Sequence, residues 1–167
     1  RARVALDAAR ESIRELLHAP KADVVFTGSG TEADLLGLMG LARREKAARG
    51  ATRVLVSSLE HPAVLEAAQA LQEEGFAVEA IPFAAPSGVD LAALESMADT
   101  DVAVVGVMLA NNETGLVLPV AEVTSICERH GIPVHCDAVQ AAGKIDVHFY
   151  ALGVTTMAIA GHKFGGP

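Results

Sequence analysis

The sequence predicts an α/β domain, a mostly parallel sheet with helices on both faces, and three observations carry that reading. Short apolar runs alternate with helical-period segments along the 167 residues. Hydrophobic residues make up 51% of the chain, yet only 4% are aromatic and Trp is absent. The core must therefore be Ala, Val and Leu, small enough for a buried parallel sheet. Finally, the polar motifs each follow a strand-like run, which places them at the carboxyl ends of strands, where open α/β sheets bind ligands.

The elements follow in order. Ala2 to His18 carries Val4, Ile13, Leu16 and Leu17 among charges, an amphipathic helix stopped by Pro20. Asp23 to Thr27 reads as a buried strand, and Gly28-Ser29-Gly30-Thr31-Glu32 turns into a helix that runs to about Arg49, where Gly50 caps it. Arg53 to Ser57 is the next strand; Glu60-His61-Pro62 leads to a helix from Ala63 to Glu74, then a strand from Ala77 to Ile81. Asp90 is the N-cap of a short helix from Leu91 to Met97. Val102 to Leu109 is the most hydrophobic strand and ends in Ala110-Asn111-Asn112-Glu113-Thr114-Gly115. A helix from Val120 to His130, closed by Gly131, and strands from Pro133 to Asp137 and Thr155 to Ala160 complete the set. No repeat, low-complexity tract or linker divides them, so one domain is expected.

Composition excludes several classes. A net charge of −8, from 13 basic and 21 acidic residues, is the opposite of a nucleic-acid surface. No apolar run approaches the roughly 20 residues of a membrane span, and no signal peptide opens the chain. Two cysteines, Cys127 and Cys136, make no disulfide framework. A bacterial-type cytoplasmic protein is the expectation. Because residue 1 is Arg and a helix is already under way at Ala2, the start is expected to be cut.

Two motifs carry chemistry. Lys163 sits in the glycine-rich turn Gly161-His162-Lys163-Phe164-Gly165-Gly166-Pro167, and Asp137 ends a strand in Val134-His135-Cys136-Asp137-Ala138-Val139-Gln140. A lysine that can form a Schiff base and an aspartate that can pair with a pyridinium nitrogen are what pyridoxal 5'-phosphate requires of a protein. Gly30 and Thr31 begin a helix, whose free N–H groups and positive dipole end suit a phosphate.

With these pieces the chain resembles the NifS/IscS-like cysteine desulfurases of the class V aminotransferase family. The matching segments are Phe26 to Asp34, Glu60 to Leu65, Ala110 to Gly115, Asp137 to Gln140 and Gly161 to Lys163, in family order across almost the whole chain. The resemblance implies the large domain of a fold-type I transferase, spanning 1–167 but incomplete, with an N-terminal segment and a C-terminal small domain absent. It implies that Lys163 holds the cofactor and moves the substrate's Cα proton, and that Asp137 keeps the ring nitrogen protonated. His61 would stack on the ring and pass a proton, while Gln140 and Asn112 would contact the ring hydroxyl side. Gly30, Thr31 and His162 would hold the phosphate. Two positions depart from the family pattern: Ala160 stands where a phosphate-binding serine is common, and Leu35 replaces a common asparagine.

The activity so implied converts L-cysteine to L-alanine and passes sulfur to an enzyme cysteine as a persulfide, for iron–sulfur cluster or other thio-cofactor assembly. Sulfur-acceptor or scaffold proteins, and a homodimer at full length, are the implied partners. Cys127 lies on the apolar stripe of its helix, and Cys136 points to the face opposite Asp137, so neither reads as the attacking thiol. That cysteine, the substrate-carboxylate arginine and one more strand, between the Thr155 and Asp23 strands, are expected beyond Pro167. Alternative readings are another class V aminotransferase or lyase and a Rossmann-type dinucleotide-binding domain on Gly28-x-Gly30-x-x-Ala33, which leaves Asp137 and Lys163 without a role. A metal module on Cys127, His130, His135 and Cys136 matches no zinc spacing, so no metal is expected; a non-catalytic interaction role is the remaining reading.

Overall fold

A five-stranded, wholly parallel sheet forms the middle layer of the computed structural model, which describes residues 1–166. Pro167, the last residue of the glycine-rich turn, lies outside them. The elements run α1 (Ala2–Leu16), α2 (Gly30–Arg49), β1 (Arg53–Ser57), α3 (Pro62–Glu73), β2 (Ala77–Ile81), α4 (Leu91–Met97), β3 (Val102–Met108), α5 (Val120–Glu128), β4 (Val134–Asp137), α6 (Phe149–Leu152) and β5 (Thr156–Ala158). A 3-10 turn at Gly161–Lys163 closes the order.

The strands lie in the order β2-β1-β3-β4-β5, so the direction of winding reverses between β1 and β3. Ligands of open α/β sheets bind beyond the carboxyl ends of the strands at such a reversal. The registers Met108↔Asp137 and Asp137↔Ala158 bring the ends of β3, β4 and β5 level. All seven residues of β3 are buried, as a central parallel strand requires.

Each face of the sheet has its own apolar layer. On one side α2 and α3 cover Val54, Val56 and Val104. On the other, α4 and α5 cover Leu55, Val105, Val107 and Cys136. Local chemistry sets the helix ends. Ser29 caps α2, Gly50 ends it at φ 76°, Asp90 caps α4, and Pro62 occupies the first turn of α3, where no N–H is needed.

The structure corrects one element. Asp23 to Thr27 is not a strand: it pairs with no neighbour, and Val25 and Phe26 are exposed at 69% and 45%. Strand structure needs a partner ladder, and the described residues supply none beside it. Side chains of α1 take carbonyls along it instead, Arg10 Nε donating to Val24 O at 3.2 Å and Arg14 Nε to Ala22 O, just before the segment, at 2.8 Å. The Rossmann reading loses its strand–turn–helix context for the same reason. The strand read at Thr155 to Ala160 shortens to Thr156–Ala158, and α6 and the 3-10 turn were not expected. Helix α1 holds as a helix but buries none of its own residues; Leu17, just past its end, is buried. None of the described helices is long and apolar enough to cross a membrane.

Candidate cofactor-binding site

The first turn of α2 opens the site. Ser29 Oγ accepts the Glu32 N–H at 3.1 Å, and the Glu32 carboxylate reaches back past the cap to accept the Gly28 N–H at 2.6 Å, an arrangement close to a capping box but shifted by one residue. Among the described residues the N–H groups of Gly30 and Thr31 find no partner within the chain, and they face outward from the positive end of a 20-residue helix. Gly30 is there for space: a Cβ would meet Val139 Cγ2 at 3.2 Å and Ala160 Cβ at 3.4 Å. The helix start is therefore pressed against the turns after β4 and β5.

His61 caps α3, its Nδ1 accepting the Ala63 N–H at 3.2 Å. An accepting Nδ1 carries no proton, so in the neutral ring the proton sits on Nε2. Beyond β3, Asn111 is a buried strut: its Oδ1 accepts from Glu113 N, Thr114 N and Thr114 Oγ1, and its Nδ2 donates to Leu59 O at 3.1 Å. That strut presents the exposed Asn112.

Asp137 ends β4 and is only 6% exposed. Its Oδ1 accepts the Val139 N–H at 2.9 Å, and its other oxygen has no protein partner among the described residues. Burial pushes its carboxyl up to about 6, and the charge of Asp34 adds to the push. In the turn that follows, Gln140 Oε1 accepts from Lys144 Nζ at 2.5 Å, which leaves its amide hydrogens free. His162 and Lys163 stand in the 3-10 turn after β5, held by Lys163 N–H to Ala160 O at 3.0 Å and Gly166 N–H to Gly161 O at 2.8 Å.

All eight site residues read from the sequence (Gly30, Thr31, His61, Asn112, Asp137, Gln140, His162 and Lys163) line one cavity of about 240 Å³. The donor set fits pyridoxal phosphate. An under-neutralised buried carboxylate at the floor suits a protonated ring nitrogen, and free N–H groups with His162 at the rim suit a phosphate. A wider hollow of about 360 Å³, at the amino end of β4 between Arg44, Thr124 and Glu128, is lined by none of the eight.

Three polar residues in or behind the cavity are not among the expected site residues. Asp34 lines the cavity floor, 2% exposed, and pairs with the equally buried His135, Nε2 to Oδ1 at 3.2 Å. Helical spacing from Gly30 and Thr31 was the available signal for Asp34. His135 Nδ1 meets Thr156 Oγ1 at 2.9 Å, and its ring fits only because residue 37 is glycine. Glu60, beside His61 in sequence, is buried behind the cavity. The four residues weighed as metal ligands are dispersed, since Cys136 packs with Cys127 on the α5 side of the sheet while His135 turns to α2. Both thiols are buried and held protonated, Cys127 pushed up to about 12 and Cys136 raised well above the ordinary thiol range, burial being the main cause for each.

Comparison with known proteins gives the same pattern over the whole chain. The family model for aminotransferase class-V matches residues 1–167. An IscS-like cysteine desulfurase of Mycobacterium tuberculosis is 43% identical over 171 residues, covering 99% of this chain and 43% of the relative. A cysteine desulfurase IscS of Clostridium botulinum is 34% identical over 163 residues, 98% of this chain and 41% of the relative. Among solved structures, a NifS-like protein superposes with a TM-score of 0.90 at 33% identity, covering 99% of this chain and 46% of that one. SspA in complex with cysteine gives 0.89 at 30%, with 99% and 48% covered. The chain thus spans less than half the length of the proteins it matches.

Proposed function

This chain belongs to the class-V aminotransferase family, and from that premise we propose that it forms the cofactor-holding part of a pyridoxal-phosphate-dependent cysteine desulfurase. The observation that carries the reading is the meeting of Lys163 and Asp137 in one cavity with the open end of α2. When bound, pyridoxal phosphate supplies an electron sink that lets the Cα–H bond of an amino acid break and its sulfur become open to attack. Asp137 would hold the proton on the ring nitrogen; a cationic partner there would bring that carboxylate back toward its ordinary range, so binding would relieve the cost of burying it. Gly30, Thr31 and His162 would hold the phosphate, and Gln140 and Asn112 would donate to the ring hydroxyl side.

Lys163 would hold the cofactor through its amine and would be the base placed to take the proton from the substrate's Cα. His61, lining the same cavity, would stack on the ring, and its Nε2–H could deliver a proton. The balance of the reaction is L-cysteine plus a protein thiol giving L-alanine plus a protein persulfide. The attacking thiol must be a cysteine other than Cys127 and Cys136, because both are buried and protonated. Sulfur-acceptor or scaffold proteins of iron–sulfur assembly, a homodimer and a cytoplasmic setting complete the reading. Relatives named cysteine desulfurase IscS and a solved relative in complex with cysteine support the desulfurase activity and cysteine as its substrate.

The test has two separate arms: incubation with pyridoxal phosphate, borohydride reduction and peptide mapping on one sample, and measurement of alanine formed from L-cysteine on an unreduced sample of the protein in a form that also carries the attacking cysteine. The label belongs on Lys163, and Lys163→Ala abolishes both the label and the alanine. A label that persists on another lysine in that variant overturns the assignment.

A further inference from the structure

Glu60 has no role in the chemistry above, yet it is buried in the loop between β1 and α3, 7% exposed overall and with its Oε2 closed off from solvent. One oxygen carries all its bonds. Oε1 accepts from Ser57 Oγ at 2.5 Å and from the Met108 N–H at 2.7 Å, tying the end of β1 to the end of β3. Oε2 is buried and has no partner at all among the described residues. The groups that bear on Glu60 are Asp34 from α2 and Asp137 and Cys136 from β4, two carboxylates and a protonated thiol. His61 and His135 bear on Asp137. A carboxylate set among acids, with two neutral donors on one oxygen and none on the other, lacks what a buried charge requires.

We propose that Glu60 is a positioning residue that works as an uncharged carboxylic acid, clamping the loop that carries His61 to the end of β3. The clamp is double. Asn111 donates to Leu59 O from the β3 side while Glu60 reaches Met108 from the β1 side, so the loops bearing Asn112 and His61 are cross-tied on both sides of the point where the sheet reverses. An ionised group there would repel Asp34 and Asp137, whose charges the floor of the cavity needs. Burial holds the Glu60 carboxyl up at about 8, consistent with an uncharged group at neutral pH.

The experiment compares the protein carrying these residues with its Glu60→Gln and Glu60→Ala variants, freed of cofactor, by thermal melting from about pH 5 to about pH 9. Glutamine keeps the acceptor for Ser57 and Met108 and places an uncharged group where the orphan oxygen stands. A raised carboxyl contributes stability in full below its unfolded value and loses it as pH rises through the folded one. Wild type therefore loses melting temperature relative to Glu60→Gln across that range, and the two converge at the acid end. Glu60→Ala melts lower than Glu60→Gln at every pH and lower than wild type at the acid end; should it fail to fold, the wild-type and glutamine profiles decide alone. Parallel profiles for wild type and Glu60→Gln, or a Glu60→Gln protein as unstable as Glu60→Ala at the acid end, overturn the proposal.

A second readout rests on the functional reading above: pyridoxal phosphate binds Glu60→Gln within about threefold of wild type and Glu60→Ala about tenfold more weakly, the loss of one ordinary hydrogen bond's worth of positioning. Equal loss in both variants also overturns the clamp. A wild-type protein that binds none removes the functional reading and leaves the clamp to the melting comparison.

Discussion

Gly37 and Gly40 sit one turn apart in α2, and the same substitution at the two positions should have opposite signs. In an exposed helix interior, Gly→Ala stabilises by about 1 kcal/mol, because alanine surrenders less backbone freedom. At Gly40 nothing stands within 4 Å of an added Cβ, so that gain should appear nearly whole. At Gly37 the Cβ would lie 2.4 Å from His135 Nδ1 and 2.5 Å from Cε1. The ring cannot swing aside freely, being tied to Thr156 on one nitrogen and Asp34 on the other. Overpacking costs about 1–3 kcal/mol, and leaving a buried polar group unpaired costs about 1–3 kcal/mol more. After the helical gain, Gly37→Ala should be destabilising by roughly 1–5 kcal/mol. Guanidinium unfolding with fitted slopes measures both variants against wild type, and the two midpoints should move in opposite directions. A Gly37→Ala protein as stable as wild type would show that His135 has room to move and that the buried pair with Asp34 is not rigid.

Asp137→Asn keeps the acceptor for the Val139 N–H but removes a carboxyl whose value is raised by burial and by Asp34. In the cofactor-free protein it should gain stability at neutral pH, on the order of 2–3 kcal/mol at most, with the advantage disappearing as pH falls toward about 4; a constant advantage at all pH would contradict the assigned carboxyl. The same variant should bind pyridoxal phosphate more weakly, read by fluorescence titration. Cys127 and Cys136 should resist iodoacetamide in the native protein and react after denaturation, as mass spectrometry would report; rapid native labelling of either would reopen the search for the sulfur-accepting thiol. Ala160→Ser restores a hydroxyl at the cavity wall and should tighten pyridoxal phosphate binding about fivefold, one ordinary hydrogen bond; weaker binding would show that the hydroxyl crowds Gly30.

What could be read from the sequence was what is decided locally or by the direction of the chain. Ser29, Asp90 and Gly50 act within a few residues of themselves, so the ends of α2 and α4 were legible. Strand polarity was enough to send Asp137, His61 and Lys163 to one edge. The segment from Asp23 to Thr27 misled because Val24, Val25 and Phe26 look like a strand, whereas strand structure belongs to a pair and this segment has α1 arginines for company. The pairing of Asp34 with His135 spans 101 positions and depends on the β4–β5 register and on a missing Cβ at Gly37. No local pattern records such a contact. Glu60 was read only as a neighbour of His61, because its burial follows from how β1 and β3 lie side by side.

The contact of Gly30 with Val139 and Ala160 also bears on when the cavity comes into being. Its two sides are more than a hundred residues apart in the chain, so as the chain emerges during synthesis the start of α2 waits, with its N–H groups in water, until β4 and β5 have been made and docked. Long-range closures of this kind in parallel sheets come late, after local helices and neighbouring strands have formed. A ligand that fills the cavity therefore has almost no affinity for earlier states and acts on the finished one by mass action, adding about 2.7 kcal/mol at a hundredfold excess over its dissociation constant. Ligand supply during synthesis would then govern how much of this chain survives to maturity.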